Sequence, residues 1–496
     1  MARKISKILS IALLLGMLAA SKGTQRTAAQ TQPNRWSPIE QLSSVDANSS
    51  AGYIVSDPYG NVDVFWSESG GDDDRPRIEY SRFDGQSWSA PNDIVVLWPD
   101  SSAGYLAAAA DSKGSLHLLI NETSTKSLFY VHAPANQAGS AKAWSRPFPL
   151  DILAFSADIV VDSKDVIHIL YADYYGEVPG IYYIRSTDGG YTWSSPFWLD
   201  PNIPFNNAPG IVQLALDDHD GLHALWYYVD LGESSNPATM IEYSHSFDSG
   251  KTWSTPFVLD KADESPEELR APYPGMLVSG GNVYAIWAGD EQVHRDFRYS
   301  TDYGETWSDT TRIFGDLVGQ SLGGGLATDS TGRLHYITQL RYPQGLYHGV
   351  FDGNVWSIPE LIYLTAVDSS DPGLGRIHAH NSRLVMRNGN QLVLIFTNNP
   401  QEDQLHLYTM HSTLENVNPL PALPTPTLAP SLTVMPDQAQ VSVQATPTPN
   451  PTLVALAEDS GPANGDFSPA RGLFLGIIPP VLLIVGIAFL RLFRKR

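Results

Sequence analysis

The chain has 496 residues, more than a single compact core usually holds, which points to several domains or to one repeat array. Its formal net charge of −22 excludes a nucleic-acid partner and electrostatic adhesion to an anionic membrane surface. It has no cysteine, which excludes disulfides, thiolate metal sites and cysteine nucleophiles, so the fold has to be held by packing.

At the start of the chain, Arg3, Lys4 and Lys7 precede an apolar run from Ile8 to Ala20, the charged and hydrophobic parts of a secretory signal. Ala19-Ala20 and Ala28-Ala29 are the candidate cleavage neighbourhoods, and residues 1–29 are expected to act as a signal peptide. An uncleaved N-terminal anchor is the alternative.

From Trp36 onward the sequence is periodic. Tight turns stand at Asp57-Pro58-Tyr59-Gly60, Asp111-Ser112-Lys113-Gly114, Asp162-Ser163-Lys164-Asp165, Asp218-His219-Asp220-Gly221 and Asp329-Ser330-Thr331-Gly332. Weaker equivalents occur at Ser279-Gly280-Gly281-Asn282 and Arg387-Asn388-Gly389-Asn390, which makes seven. A β-rich run such as Ile167-His168-Ile169-Leu170-Tyr171 follows each turn, then a variable loop and a third run such as Ile181-Tyr182-Tyr183-Ile184. A fourth strand is expected to open with Trp-Ser at Trp36, Trp88, Trp144, Trp193, Trp253, Trp307 and Trp356.

Ahead of three of these tryptophans one phrase recurs: Ser186-Thr187-Asp188-Gly189-Gly190-Tyr191-Thr192-Trp193, Ser246-Phe247-Asp248-Ser249-Gly250-Lys251-Thr252-Trp253 and Ser300-Thr301-Asp302-Tyr303-Gly304-Glu305-Thr306-Trp307. Its chemistry is that of a turn. Asp accepts hydrogen bonds from nearby backbone N–H groups, Gly supplies a positive φ, Ser and Thr satisfy the remaining polar groups, and Trp anchors the next strand. The phrase resembles the Asp-box of the sialidase superfamily and related β-propellers, where such boxes are structural turns remote from the active site. That resemblance implies a structural role for Asp188, Gly190, Trp193, Asp248, Gly250, Trp253, Asp302, Gly304 and Trp307.

Four strands per repeat and seven repeats predict an all-β fold, a seven-bladed propeller of antiparallel blades spanning residues 36–412. The sialidases that the motif resembles have six blades, so the likeness is to the building unit. Because the repeat array begins with a fourth strand at Trp36 and ends with a third strand near Tyr408 to Ser412, the N-terminal strand is expected to complete the last blade.

In such propellers, ligands meet the face built from the loops between second and third strands and from fourth strands to the next blade. These loops supply the candidate ligand-binding residues Asp74, Arg75, Tyr174, Tyr175, Arg270, Tyr273, Arg295, Arg341 and Arg376, with the tyrosines as sugar-stacking platforms. Sialidase chemistry needs an arginine cluster, an Asp acid/base and a Tyr nucleophile activated by a Glu. The arginine of the family's Arg-Ile-Pro or Arg-Leu-Pro motif is missing from the corresponding stretch Ser50-Ala51-Gly52-Tyr53-Ile54, and no catalytic residue is assigned. His117, His168, His223 and His335 recur at one repeat position on separate sheets, which suits packing and not a shared ion; no metal and no cofactor are expected. Asn48-Ser49-Ser50 and Asn121-Glu122-Thr123 match glycosylation sequons.

Beyond the array, residues 413–470 are rich in Pro and Thr and read as an extended, disordered stalk. Residues 471–490 read as a transmembrane helix, with an uncharged apolar run over 473–490, and residues 491–496 as a basic cytoplasmic tail. The expected protein is a single-pass protein of the cell membrane with the propeller outside. Two functions remain open: a head that recognises glycan or protein through its variable loop face, or a sialidase-like exo-glycosidase acting on cell-surface or environmental glycans.

Overall fold

The computed structural model describes residues 35–70, 75–97, 101–203, 206–232, 238–262, 273–289, 294–315, 317, 324–341, 344–364, 380–401 and 404–424. The expected signal peptide, the stalk beyond residue 424 and the apolar run 473–490 lie outside them. No helix among the described residues is long and apolar enough to cross a membrane.

The strands form seven four-stranded antiparallel sheets, the blades of a propeller. Blade 1 comprises Ala47–Ser56, Val62–Gly70, Arg77–Phe83 and Asn92–Val96, and blade 2 comprises Ala103–Ala110, Ser115–Glu122, Ser127–Pro134 and Phe148–Leu153. Blade 3 runs Ser156–Val161, Ile167–Asp173, Gly180–Ser186 and Phe197–Trp198, and blade 4 Asn207–Leu216, Leu222–Asp230, Ala238–Ser246 and Phe257–Lys261. Blade 5 runs Gly275–Ser279, Asn282–Gly289, His294–Ser300 and Thr311–Ile313; blade 6 runs Gly324–Thr328, Leu334–Arg341, Gln344–Phe351 and Glu360–Leu364. Blade 7 takes His380–Arg387, Gln391–Gln401 and Gln404–Thr413 from the end of the array and Glu40–Gln41 from its start.

A sheet sandwiched between two others must be apolar on both faces, and the second strands show it. In blade 1, Val64 and Trp66 pack toward blade 7 with Val393 and Ile395, while Phe65 packs toward blade 2 with Leu106 and Leu116. Seven such hydrophobic clusters occur, one at each blade junction, and the seventh joins blade 7 to blade 1.

Two local expectations shift by a few residues. The Trp-Ser pairs lie ahead of the fourth strands. Each of these serines, from Ser37 to Ser357, donates its N–H to a carbonyl of the third strand at 2.7–2.9 Å. In six blades a proline follows within three residues of the Trp (Pro38, Pro91, Pro147, Pro196, Pro256, Pro359), and having no N–H it delays the ladder until the chain has passed it. In blade 4 the turn begins at Asp217, one residue before the expected Asp218. Asp217 Oδ1 accepts the N–H groups of His219 and Gly221 at 2.8 and 2.7 Å, as Asp57 Oδ1 does those of Tyr59 and Asn61. Adjacent aspartates are equivalent in sequence; the positive φ, at Asp220 here and Gly60 there, sets the register.

The three recurrent phrases share one hydrogen-bond pattern. Asp188 accepts from the Thr192 hydroxyl at 2.6 Å, the Thr192 N–H at 2.9 Å and the Ser186 hydroxyl at 2.8 Å, which hold its carboxyl down at about 2. Asp248 and Asp302 repeat this with Thr252 and Ser246, and with Thr306 and Ser300. Each phrase then meets the preceding blade. Gly190, Gly250 and Gly304 lie against the rings of Tyr130, Tyr183 and Tyr243, and Trp193, Trp253 and Trp307 meet the same rings near-perpendicularly at 5.4, 5.3 and 4.9 Å.

Behind each tyrosine stands a recurrent histidine. In blade 4, His223 Nε2 donates to Asp217 Oδ2 at 3.2 Å, which leaves Nδ1 to accept from the Tyr243 hydroxyl at 2.6 Å. Burial lowers the pKa of His168, His223 and His335, with their aspartates acting in the opposite direction. Asn121 is buried and its amide donates to the Ala154 carbonyl at 2.6 Å, so that sequon offers no free side chain for a glycan.

Residues beyond the last strand do not leave the head at once. Leu414, Leu420 and Leu423 donate their N–H groups to Asn390, Asn388 and Pro58, so this segment straps the turn-bearing face from blade 7 to blade 1.

Two outcomes follow for stability. Deleting residues up to 43 removes the pairing of Glu40 with Thr409 and Gln41 with Tyr408; the truncated protein should melt several degrees lower and self-associate through the bared edge, as scanning calorimetry and light scattering would report. At Gly250, φ is +76° and an added Cβ would lie 2.1 Å from the Tyr183 hydroxyl, so Gly250→Ala should cost about 2–4 kcal/mol. Gly189→Ala, with φ +78° and open space, should cost about 1 kcal/mol, and equal losses in urea titrations would refute the latch.

Candidate functional site

Four side chains from four blades meet around the channel. Aligned on their turns, the first strands carry Tyr53, Ala107, Asp158, Gln213, Gly275, Gly325 and Arg383 at one level, four residues before each turn. Small residues at three of these positions leave room for large ones at the others. At Gly325 even a Cβ would lie 2.4 Å from the Leu384 nitrogen, so the first strand of blade 7 comes in close and brings Arg383 with it. A register shift in the first strand precedes Tyr53, Tyr105, Val212 and Arg383, and such a bulge re-aims the side chain that follows.

The resulting collar is tightly connected. The Arg383 guanidinium lies 4.2 Å from the centroid of the Tyr53 ring and 6.0 Å from that of Tyr105. The Tyr53 hydroxyl donates to Asp158 Oδ1 at 3.1 Å, while Asp158 Oδ2 accepts the Leu214 N–H of the next blade at 2.9 Å. Burial pushes the Asp158 carboxyl up, against the Leu214 N–H and the Arg383 charge; burial and Asp158 together push the Tyr53 hydroxyl well up. On the turn side of this collar the channel becomes an aliphatic cavity of about 580 Å³, bordered by Val55, Val160, Leu216, Leu277, Met386 and Leu420.

The loop residues named from the sequence are placed as follows. Asp74, Arg270 and Arg376 lie outside the described residues, as does the side chain of Arg341 at the end of the second strand of blade 6. Arg75 is exposed ahead of the third strand of blade 1, and its carbonyl accepts from Arg77 at 3.4 Å. Arg295 belongs to a strand and is 3% exposed, with Nη1 donating to the His294 carbonyl at 3.0 Å and Nη2 unpartnered. Tyr273, at φ +40°, stands beside the buried Tyr227 ahead of the first strand of blade 5. Of this set the structure brings Tyr174 and Tyr175 together, with ring centroids 5.1 Å apart. The collar itself was missed because inner strands read as generic core. The signal was available: once the turns are aligned, Asp158, Gln213 and Arg383 put polar side chains at a position that is otherwise small or aromatic.

Asp217, Asp218 and His219 stand close enough to hold a cation, yet Asp217 already serves its turn and His223. A second buried pair occurs where blade 3 connects to blade 4. Asp200 accepts from the Tyr228 hydroxyl at 2.6 Å and the Asn202 N–H at 3.0 Å, and faces Glu242 within hydrogen-bonding reach. Two carboxyls can share a hydrogen bond when one keeps its proton. Burial and the neighbouring Asp200 push the Glu242 carboxyl up to about 7.

No protein-family model matches the chain, and no curated protein sequence matches it. Solved structures do. The polysaccharide lyase Uly1 is similar over 74% of this chain and 90% of its own, at 10% identity and a TM-score of 0.50. The NanB sialidase from Streptococcus pneumoniae, as a mutant, is similar over 77% of this chain and 71% of its own, at 15% identity and 0.41. The α-L-arabinofuranosidase Arb93A from Fusarium graminearum is similar over 77% and 97%, at 9% identity and 0.40. At these identities the likeness is one of fold alone, a β-propeller.

The carboxyl pair yields a pH dependence. Glu242 holds its proton more strongly folded than unfolded, so its contribution to stability is complete below its ordinary 4.5 and is lost as pH rises through about 7. In Glu242→Gln the amide donates permanently to Asp200. Between pH 6 and pH 8.5 the wild type should therefore lose on the order of a few °C in Tm relative to this variant; parallel curves would show that no proton is shared.

Proposed function

We propose that the chain is an extracytoplasmic, membrane-tethered propeller of the sialidase-like kind that recognises a glycan at the loop-bearing mouth of its channel. Residues 1–29 direct export, the part of 413–470 beyond the strap provides the connection, 471–490 anchor and 491–496 remain cytoplasmic; the three Ser-x-Asp-x-Gly-x-Thr-Trp turns are its Asp-boxes. The observation that carries this reading is the collar. Arg383, Asp158, Tyr53 and Tyr105, drawn from four blades, place a cation, a carboxyl and aromatic hydroxyls around the channel, the kinds of group that recognition of a polyhydroxylated ligand uses. The strap 414–424 lies on the turn-bearing face, which leaves the loop face uncovered by it.

A second reading, exo-glycosidase, draws on the contact between Tyr53 and Asp158. A tyrosine nucleophile must lose its proton, however, and burial beside an anionic partner keeps the Tyr53 hydroxyl protonated. Binding is the better fit.

Full-length protein in nanodiscs, tested on a glycan array and against fluorogenic glycosides, decides between them. Arg383→Met should weaken glycan binding by about 30-fold or more, the loss of one charge-assisted hydrogen bond, while Asp158→Asn retains the fold. Folded variants that bind like the wild type would move the site elsewhere. Turnover that disappears in Tyr53→Phe would establish the hydrolase instead.

A further inference from the structure

Three loops of blades 2 and 3 bring a second set of side chains together on the loop-bearing face. Phe155 and Tyr174 have ring centroids 5.8 Å apart, Tyr174 meets Tyr175 at 64°, and the Lys126 ammonium lies 5.8 Å from the centroid of Tyr175. Phe155 is 42% and Tyr175 41% exposed.

These loops are fixed before any ligand arrives. The Glu122 carboxylate accepts the Ser124 and Thr125 N–H groups at 2.8 Å each, their hydroxyls at 2.6 and 2.5 Å, and the Ser101 hydroxyl. Lys126, at φ +62°, is held by its carbonyl, which accepts the Ala154 N–H at 3.1 Å. Phe155 donates its own N–H to the Ala172 carbonyl at 2.9 Å, and Asp173 Oδ1 accepts the N–H groups of Tyr175 and Gly176 at 3.1 and 2.7 Å. The carboxylates of Glu122 and Asp173 are thus turned inward on backbone N–H groups, while Glu177 is exposed further along the tyrosine loop. The Lys126 ammonium is the charge in contact range of a ring, 5.8 Å from the Tyr175 centroid.

We infer that Lys126, Phe155, Tyr174 and Tyr175 form a stacking subsite for an acidic pyranose. The inference rests on the glycan reading and adds a ligand class to it. Half-exposed aromatic rings on rigid loops offer a flat face for the C–H side of a sugar ring at little entropic cost. An ammonium at the ring edge then selects a carboxylate substituent, in a molecule whose net charge of −22 otherwise repels anions. A ledge of four side chains is far smaller than the roughly 800 Å² per partner that a stable protein interface buries, which favours a sugar over a protein.

The test uses full-length protein in nanodiscs, the acidic members of the glycan array, and two soluble probes of matched backbone, β-1,4-linked tetraglucuronate and neutral cellotetraose, in titration calorimetry. The wild type should prefer acidic pyranoses. Phe155→Ala and Tyr175→Ala should each raise the Kd for the acidic ligand at least tenfold, and Lys126→Gln should abolish the preference for acid over neutral. Lys126→Arg should restore it. Should the array return glycans while the ledge variants, folded by circular dichroism, bind as the wild type does, or should Lys126→Gln keep the acid preference, the subsite is wrong and the glycan reading stands. If wild type binds neutral glycans alone the subsite is equally refuted, and if it binds no glycan both fall.

Discussion

A tyrosine ring wedged against a glycine of the next blade is the contact on which the rest of the structure depends. Tyr183 is held from behind by His168 at 2.6 Å and meets Gly250 and Trp253 in front, and Tyr130 and Tyr243 do the same in their blades. Hydrophobic burial between sheets supplies most of the cohesion but is indifferent to small slides of one blade on another. A hydroxyl fixed by an imidazole, closing on a turn too tight for a methyl group, permits one register.

The chain varies this device where its surroundings change. In blade 1 the histidine position holds Asp63, which accepts from Tyr80 at 2.6 Å and is balanced by Arg82 at 2.9 Å. At the seam between blades 6 and 7 the tyrosine position holds His348, which pairs with His335 at 3.0 Å and meets Trp36 of the N-terminal strand edge-on at 5.7 Å. The first and last parts of the array are thus joined by the same kind of aromatic contact that joins its interior blades. With no cysteine in the chain, this packing and the strand pairing of blade 7 hold the two ends of the array together without a disulfide.

A ring of fixed register can place side chains across its own axis, and that is what links fold to site. The Asp158 carboxylate touches Tyr53 two blades back and the Leu214 N–H one blade ahead. Small rotations of a blade would break these contacts first. The collar and the cavity beneath it divide the channel into a polar end and an aliphatic end.

The sequence by itself determined the blade count, the turns, the three repeated latching phrases and the strand that closes the ring, because each is chemistry local to about fifty residues and repeated until it is unmistakable. It misplaced the turn at Asp217 and the start of the fourth strands by a few residues, where adjacent aspartates look alike and where proline shifts the ladder. That Tyr174 and Tyr175 meet was legible because they are neighbours in the chain; Lys126 and Phe155 beside them were not. The tertiary structure alone decided the collar. Tyr53, Tyr105, Asp158 and Arg383 belong to blades 1, 2, 3 and 7 and meet because closure of the ring carries the first and last blades to a common axis, a distance that no periodicity along the chain encodes.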